Sequence, residues 1–301
     1  VNTSLLHKFQ DFKIKNQLRY SEEIDEKSIG KLVTKYDAII VGSDQVWAFK
    51  YFRPFLFLLD WQPEYPGIKI SYAACSPDIY VPWFHKKVIK RKLLQFDALS
   101  VRDETTQVWV KKCCGLQPDI VADPTLLYNF DYLLEKNERV DPYIFVYCLG
   151  GEIEGGHVAV FQEIKRCYGN LRIVAVTIPH VSLEAEKFAD EVIYDASPQK
   201  WLTLLANAAF VYTDSFHGCI FALKYRKPFL AYYVQFERAS RLLDLKKRYG
   251  ISCAIVASVS EMLRARSVEL GINYEKVQPI LEKQKRIAEQ FLENALCFRK
   301  E

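Results

Sequence analysis

Short apolar runs, each closed by a polar turn, alternate along the chain with longer stretches whose apolar positions recur every three or four residues. The short runs predict buried strands and the longer ones amphipathic helices. Asp37–Val41, Ile68–Ala74, Ala98–Val101 and Ile120–Ala122 form a first series of strands, with helices from Pro82 to Gln95 and from Glu104 to Cys114 between them. A second series comprises Tyr143–Leu149, Arg172–Val176, Glu191–Tyr194, Phe210–Thr213, Pro228–Tyr232 and Cys253–Val256. Its helices are Gly156–Tyr168, Ser197–Ala208, Ser215–Tyr225, Arg238–Tyr249 and Ser258–Arg266, and a long helix from Tyr274 to Cys297 ends the chain. Strands alternating with helices on both faces predict parallel sheets. The expected fold is α/β, with two Rossmann-like domains facing a central cleft. The first domain is expected at residues 1–136, the second at 137–273, and the final helix, 274–301, is expected to pack back on the first. Val1–Glu26 is polar and helical in pattern where α/β domains ordinarily open on a strand, so the first domain is expected to lack its opening strand.

Composition narrows the function classes. Of 301 residues, 50% are hydrophobic and 26% charged, enough apolar content for two full cores. A net charge of +4 suits small anions and is too slight for a nucleic-acid partner. The eight cysteines include no C-x-x-C pair, and several lie in apolar segments, as buried reduced thiols do. No stretch resembles a signal peptide and no apolar run reaches spanning length, so a cytoplasmic protein with at most peripheral membrane association is expected.

In open parallel sheets, ligands bind beyond the carboxyl ends of the strands. Four such places carry candidate chemistry. Gly42-Ser43-Asp44 follows the first strand; the glycine admits a ligand to the backbone, although Ser and Asp there equally serve as helix caps. Arg102 ends the third strand and could fork onto a phosphate or carboxylate, or pair with Asp103 and Glu104. Asp123-Pro124 reads first as a turn. Thr213-Asp214-Ser215-Phe216-His217-Gly218 joins a strand to a helix, where first-turn N–H groups attract anions and a histidine can move a proton near neutral pH. Against that stands a capped helix with a packed histidine. Gly150-Gly151 lacks a G-x-G-x-x-G pattern, and the remaining histidines have no metal-ligand spacing.

Taken in order, YDAIIVGSDQVW, KISYAACS, SVRDE, VADPTLL and TDSFHGCIFAL resemble the polysaccharide pyruvyl transferase family over about Phe9 to Tyr233. The resemblance implies a GT-B-like pair of domains and transfer of a pyruvyl unit from phosphoenolpyruvate to a sugar of a cell-surface polysaccharide or a lipid-linked glycan, forming a ketal. No cofactor is expected beyond that co-substrate, and the sequence holds no built-in metal cage, which leaves metal dependence open. His217 and Asp44 are then the catalytic candidates; Arg102, Ser215, Phe216, Gly218, Gly42 and Ser43 are the donor-binding ones. Relatives often carry arginine where Ser215 stands, which leaves Arg102, Arg226 and Lys227 as alternative cations. Two other readings stay open: a sugar-nucleotide glycosyltransferase with Glu237 on the donor ribose, and a catalytically silent saccharide-binding relative.

Overall fold

A computed structural model of the chain describes residues 3–18, 20, 29–48, 56–59, 65–77, 79–81, 83–136, 141–178, 185–235 and 239–297. Helices α1 (Thr3–Lys15) and α2 (Ile29–Val33) precede the first sheet. Its strands, β1 (Ala38–Val41), β2 (Ile68–Ala74), β3 (Ala98–Val101) and β4 (Asp119–Ile120), pair in parallel and in chain order. Helices α3 (Lys86–Leu93) and α4 (Glu104–Cys114) make the last two crossovers. Asp103 caps α4 by accepting from the Thr106 N–H, and Gly115 ends it at φ +83°, a left-handed conformation that glycine adopts without steric cost. Trp47 and Trp109 stack at 5.6 Å within the core of this sheet, beside Val41, Ile89 and Leu93.

The second sheet holds β5 (Tyr143–Tyr147), β6 (Arg172–Val176), β7 (Glu191–Ile193), β8 (Phe210–Thr213), β9 (Phe229–Tyr232) and β10 (Ile255–Val256), all parallel. Between and after them come α5 (His157–Tyr168), α6 (Pro198–Asn207), α7 (Phe216–Lys224), α8 (Ser240–Arg248), α9 (Val259–Arg264) and α10 (Ser267–Leu270), and then α11 (Tyr274–Leu296). The strand order is β10-β9-β8-β5-β6-β7. The chain therefore winds outward from β5 to β7, then returns to the other side of β5 with β8. That reversal opens a crevice beyond the carboxyl ends of β5 and β8, the usual ligand position in such sheets.

The chain divides into two compact units, residues 20–127 with 280–301 and residues 1–19 with 128–279. Helix α1 thus belongs with the second sheet rather than the first, which departs from the expected limits at 136 and 273. Its tie is polar: Ser4 Oγ donates to Asp195 Oδ2 at 2.9 Å, and Lys8 Nζ donates to the Asp195 carbonyl at 2.9 Å. The helix expected over Ser258–Arg266 stops at Arg264 because Arg266 takes a left-handed φ of 50°. Pro82 and Glu237 lie outside the described residues. Among the described residues, no helix is long and apolar enough to cross a membrane.

Candidate active site

The reversal between β5 and β8 is pinned by one side chain. Asp214, the residue after β8, accepts from the N–H of Leu149 at 2.7 Å and of Gly150 at 2.6 Å, so its two oxygens hold the loop that leaves β5. Glycine suits position 150, because a Cβ would stand 2.8 Å from Asp214 Oδ2 and the carboxylate would have to shift. Burial lifts the Asp214 carboxyl above its ordinary range, opposed by those two N–H groups. The Gly-Gly loop therefore presents the Gly150 N–H to a protein carboxylate. A second carboxylate, Glu152, accepts from the His157 N–H at 2.8 Å and occupies the start of α5.

The same junction sets the start of α7. Thr213 Oγ1 donates to the Tyr147 carbonyl at 2.5 Å and accepts from the Ser215 N–H at 3.0 Å, tying β8 to β5 and fixing the exit from the strand. Ser215 is the N-cap, its Oγ accepting from the Gly218 N–H at 3.3 Å. Phe216 and His217 begin the helix; Phe216 is buried, and His217 is half-buried with its ring 5.3 Å from the Phe216 ring. The first N–H groups of a helix have no intrahelical acceptor and carry its positive pole, which favours an anion at this end. A half-buried imidazole in that first turn can reach both water and a bound anion.

Two cations considered for this site lie elsewhere. Arg226 and Lys227 follow the last turn of α7, about 13 Å along the helix at ~1.5 Å per residue. Arg226 stacks over Tyr274 at 5.9 Å, and the Tyr274 hydroxyl donates to the Lys227 carbonyl at 2.6 Å. A cation missed in the sequence is Arg241 of α8, whose guanidinium lies 5.9 Å from the centre of the Phe216 ring. No local pattern announces it, since 25 residues separate the two in the chain. Tyr212 and Tyr232, at the ends of neighbouring strands, are fully buried and stack on each other at 5.2 Å. Tyr212 further bonds the buried His157 at 2.9 Å, so both tyrosines belong to the core.

In the other unit, Gly42 has φ +130° and passes so close to β2 that a Cβ would meet the Tyr72 carbonyl oxygen at 2.0 Å. Its role there is close strand packing. Ser43 is half-buried and Asp44 is exposed, with Asp44 Oδ1 accepting from the Gln45 N–H at 2.8 Å. Arg102 is neither a surface residue nor paired to Asp103. Its side chain is 2% exposed, and Nη1 binds Asp123 Oδ2 at 3.1 Å, with Asp44 Oδ1 at 3.7 Å from Nη2. Asp103 instead caps α4 and accepts from the Cys75 thiol at 2.9 Å. Burial and the Asp103 charge push that thiol up to about 12. Asp123 also accepts from the N–H and hydroxyl of Thr125, the turn chemistry expected of Asp-Pro. Among the described residues, no group of three His, Cys, Asp or Glu side chains could hold a metal ion.

Known structures share this architecture. S. aureus MnaA in complex with UDP superposes with a TM-score of 0.56 at 12% identity, covering 99% of this chain and 94% of that one. The UDP-GlcNAc 2-epimerase from Neisseria meningitidis gives 0.55 at 11% identity, covering 96% and 89%. The Methanocaldococcus jannaschii UDP-GlcNAc 2-epimerase gives 0.52 at 14%, covering 94% and 88%. Identities this low establish the GT-B-like fold alone. No curated protein matches the sequence. The sequence itself is more specific than the fold: a model of the family described as polysaccharide pyruvyl transferase matches residues 2–235, from α1 through β9 and past the His217 junction. On that match over most of its length, the chain belongs to the polysaccharide pyruvyl transferase family.

Proposed function

We propose that the chain transfers a pyruvyl group from phosphoenolpyruvate to two hydroxyls of a glycan sugar, releasing phosphate and leaving a cyclic ketal. The observation that carries this reading is the β8–α7 junction, where a helix start and a half-buried histidine meet at the strand-order reversal of a family member. Phosphoenolpyruvate has two anionic groups, and the positive end of α7 suits its phosphate.

The chemistry needs one proton delivered and two removed. A proton goes to the methylene carbon, which becomes the ketal methyl, and one sugar hydroxyl forms a bond to the neighbouring carbon while losing its own proton. The bond from that carbon to the phosphate oxygen breaks, phosphate leaves, and the second hydroxyl, deprotonated in turn, takes its place. His217 is assigned to proton delivery or to the departing phosphate, and Ser215, Phe216 and Gly218 to the bed beneath the donor. Asp44, exposed and carboxylic, is assigned to the acceptor hydroxyl as base. Arg102, already engaged by Asp123, is better suited to holding the β3 and β4 ends together than to meeting the donor.

The test incubates the chain with phosphoenolpyruvate and a panel of terminal galactose and mannosamine acceptors, following phosphate release and acceptor mass. Acceptor-dependent phosphate with a mass gain equal to a ketal supports the reading. A folded protein that instead hydrolyses a UDP-sugar would replace it with a sugar-nucleotide activity, the chemistry of the fold's neighbours.

A further inference from the structure

Arg241 stands in the first turn of α8 with its guanidinium over Phe216, the first residue of α7. Among the described residues no ion pair or hydrogen bond to Arg241 is present. The acid its own helix offers at i+3, Asp244, is instead bound by Arg248. Half-buried and resting on an aromatic face, the guanidinium is partly withdrawn from water while its five donors keep their capacity.

Several polar groups on the loops that leave β5 and β8 are already engaged. The N–H groups of Leu149 and Gly150 are held by Asp214, the His157 N–H by Glu152, and the Ser215 hydroxyl by its cap bond to Gly218. Ser215 brings no charge to a donor that carries a carboxylate beside its phosphate. A planar fork is the side-chain shape that matches a carboxylate through two parallel hydrogen bonds.

We infer that Arg241 binds the carboxylate of phosphoenolpyruvate and makes the site selective for a carboxylated enol phosphate over a simple phosphate monoester. The inference rests on the donor reading given above, and the test separates the two. Isothermal titration of the full chain uses two probes, phosphoenolpyruvate and vinyl phosphate, which lacks only the carboxylate. The wild type should bind phosphoenolpyruvate about 10- to 100-fold more tightly, the scale of a charge-assisted bidentate contact. Arg241→Gln should erase that preference by weakening phosphoenolpyruvate alone, and Arg241→Lys, a point charge without the fork, should restore part of it. If Arg241→Gln leaves phosphoenolpyruvate binding unchanged, or weakens both probes equally as a lost packing contact with Phe216 would, the inference is overturned while the donor reading stands. If the wild type binds neither probe, the donor reading falls and this inference with it.

Discussion

Gly218→Ala sets two well-known effects against each other. In an open helix the change is favourable by about 1 kcal/mol, because alanine is the better helix former. Here the new Cβ would stand 2.5 Å from Thr213 Oγ1 and 3.0 Å from its Cγ2, where ordinary contact begins near 3.4 Å. Thr213 cannot turn away without releasing the Tyr147 carbonyl and the Ser215 N–H. Nor can α7 retreat easily, since Phe216, Cys219, Ile220, Ala222 and Leu223 are all buried. Overpacking of this kind costs about 3 kcal/mol, so the net loss should be about 2 kcal/mol. At an m-value of ~2 kcal/mol per molar, the urea midpoint falls by about 1 M. The same displacement moves the first turn of the helix, and turnover should fall about 100-fold, as misplacement by an ångström does. A second background sharpens the test. With Thr213→Ala in place, the nearest remaining atom is the Cβ at 3.1 Å, and adding Gly218→Ala should cost close to nothing. An equal cost in both backgrounds, or a more stable Gly218→Ala single variant, refutes the packing account.

His217→Ala should lower the proposed ketal-forming turnover by about two to four orders of magnitude with the urea midpoint unchanged; near-normal turnover would make the histidine structural. Arg102→Met strands the Asp123 carboxylate in the core and should destabilise by about 3–5 kcal/mol. Unchanged stability with lost donor binding would return Arg102 to the ligand. Asp214 has a raised folded pKa, so the folded state holds its proton more tightly than the unfolded state does. Its contribution therefore falls as pH rises from the unfolded value near 3.8 to the folded one, and is flat above. Asp214→Asn should remove that slope from urea midpoints measured across the interval, and an identical slope in the variant would show that another group produces it.

The fold was largely legible because most elements obey local rules. Ile68–Ala74, Ala98–Val101, Arg172–Val176 and Phe210–Thr213 are strands where apolar runs placed them, and Glu104–Cys114 is a helix between its Asp103 cap and Gly115. The short α2 and α10 were not read, since four or five residues carry too little periodicity. The β8–α7 junction was legible as a strand end. Its grip on Leu149 and Gly150 was not, because that depends on which strands become neighbours. Arg102 misled for a related reason: a strand-end arginine looks exposed until the fold places the buried Asp123 carboxylate, 21 positions further on, against it. Arg241 escaped because its contact is with a helix start far earlier in the chain.

The Asp214 grip also has a consequence for how the site comes into being. It joins residues 64 and 65 positions apart, across the central pair of strands. A fragment that begins after Gly151 would keep every residue of the TDSFHG motif and still lack the loop that Asp214 holds. Hydrogen exchange at the Leu149 and Gly150 amides should accordingly follow opening at the sheet centre rather than fraying of a surface loop. The junction is acquired when β5 and β8 pair and lost when they part, so its integrity and the cooperativity of the sheet are one quantity.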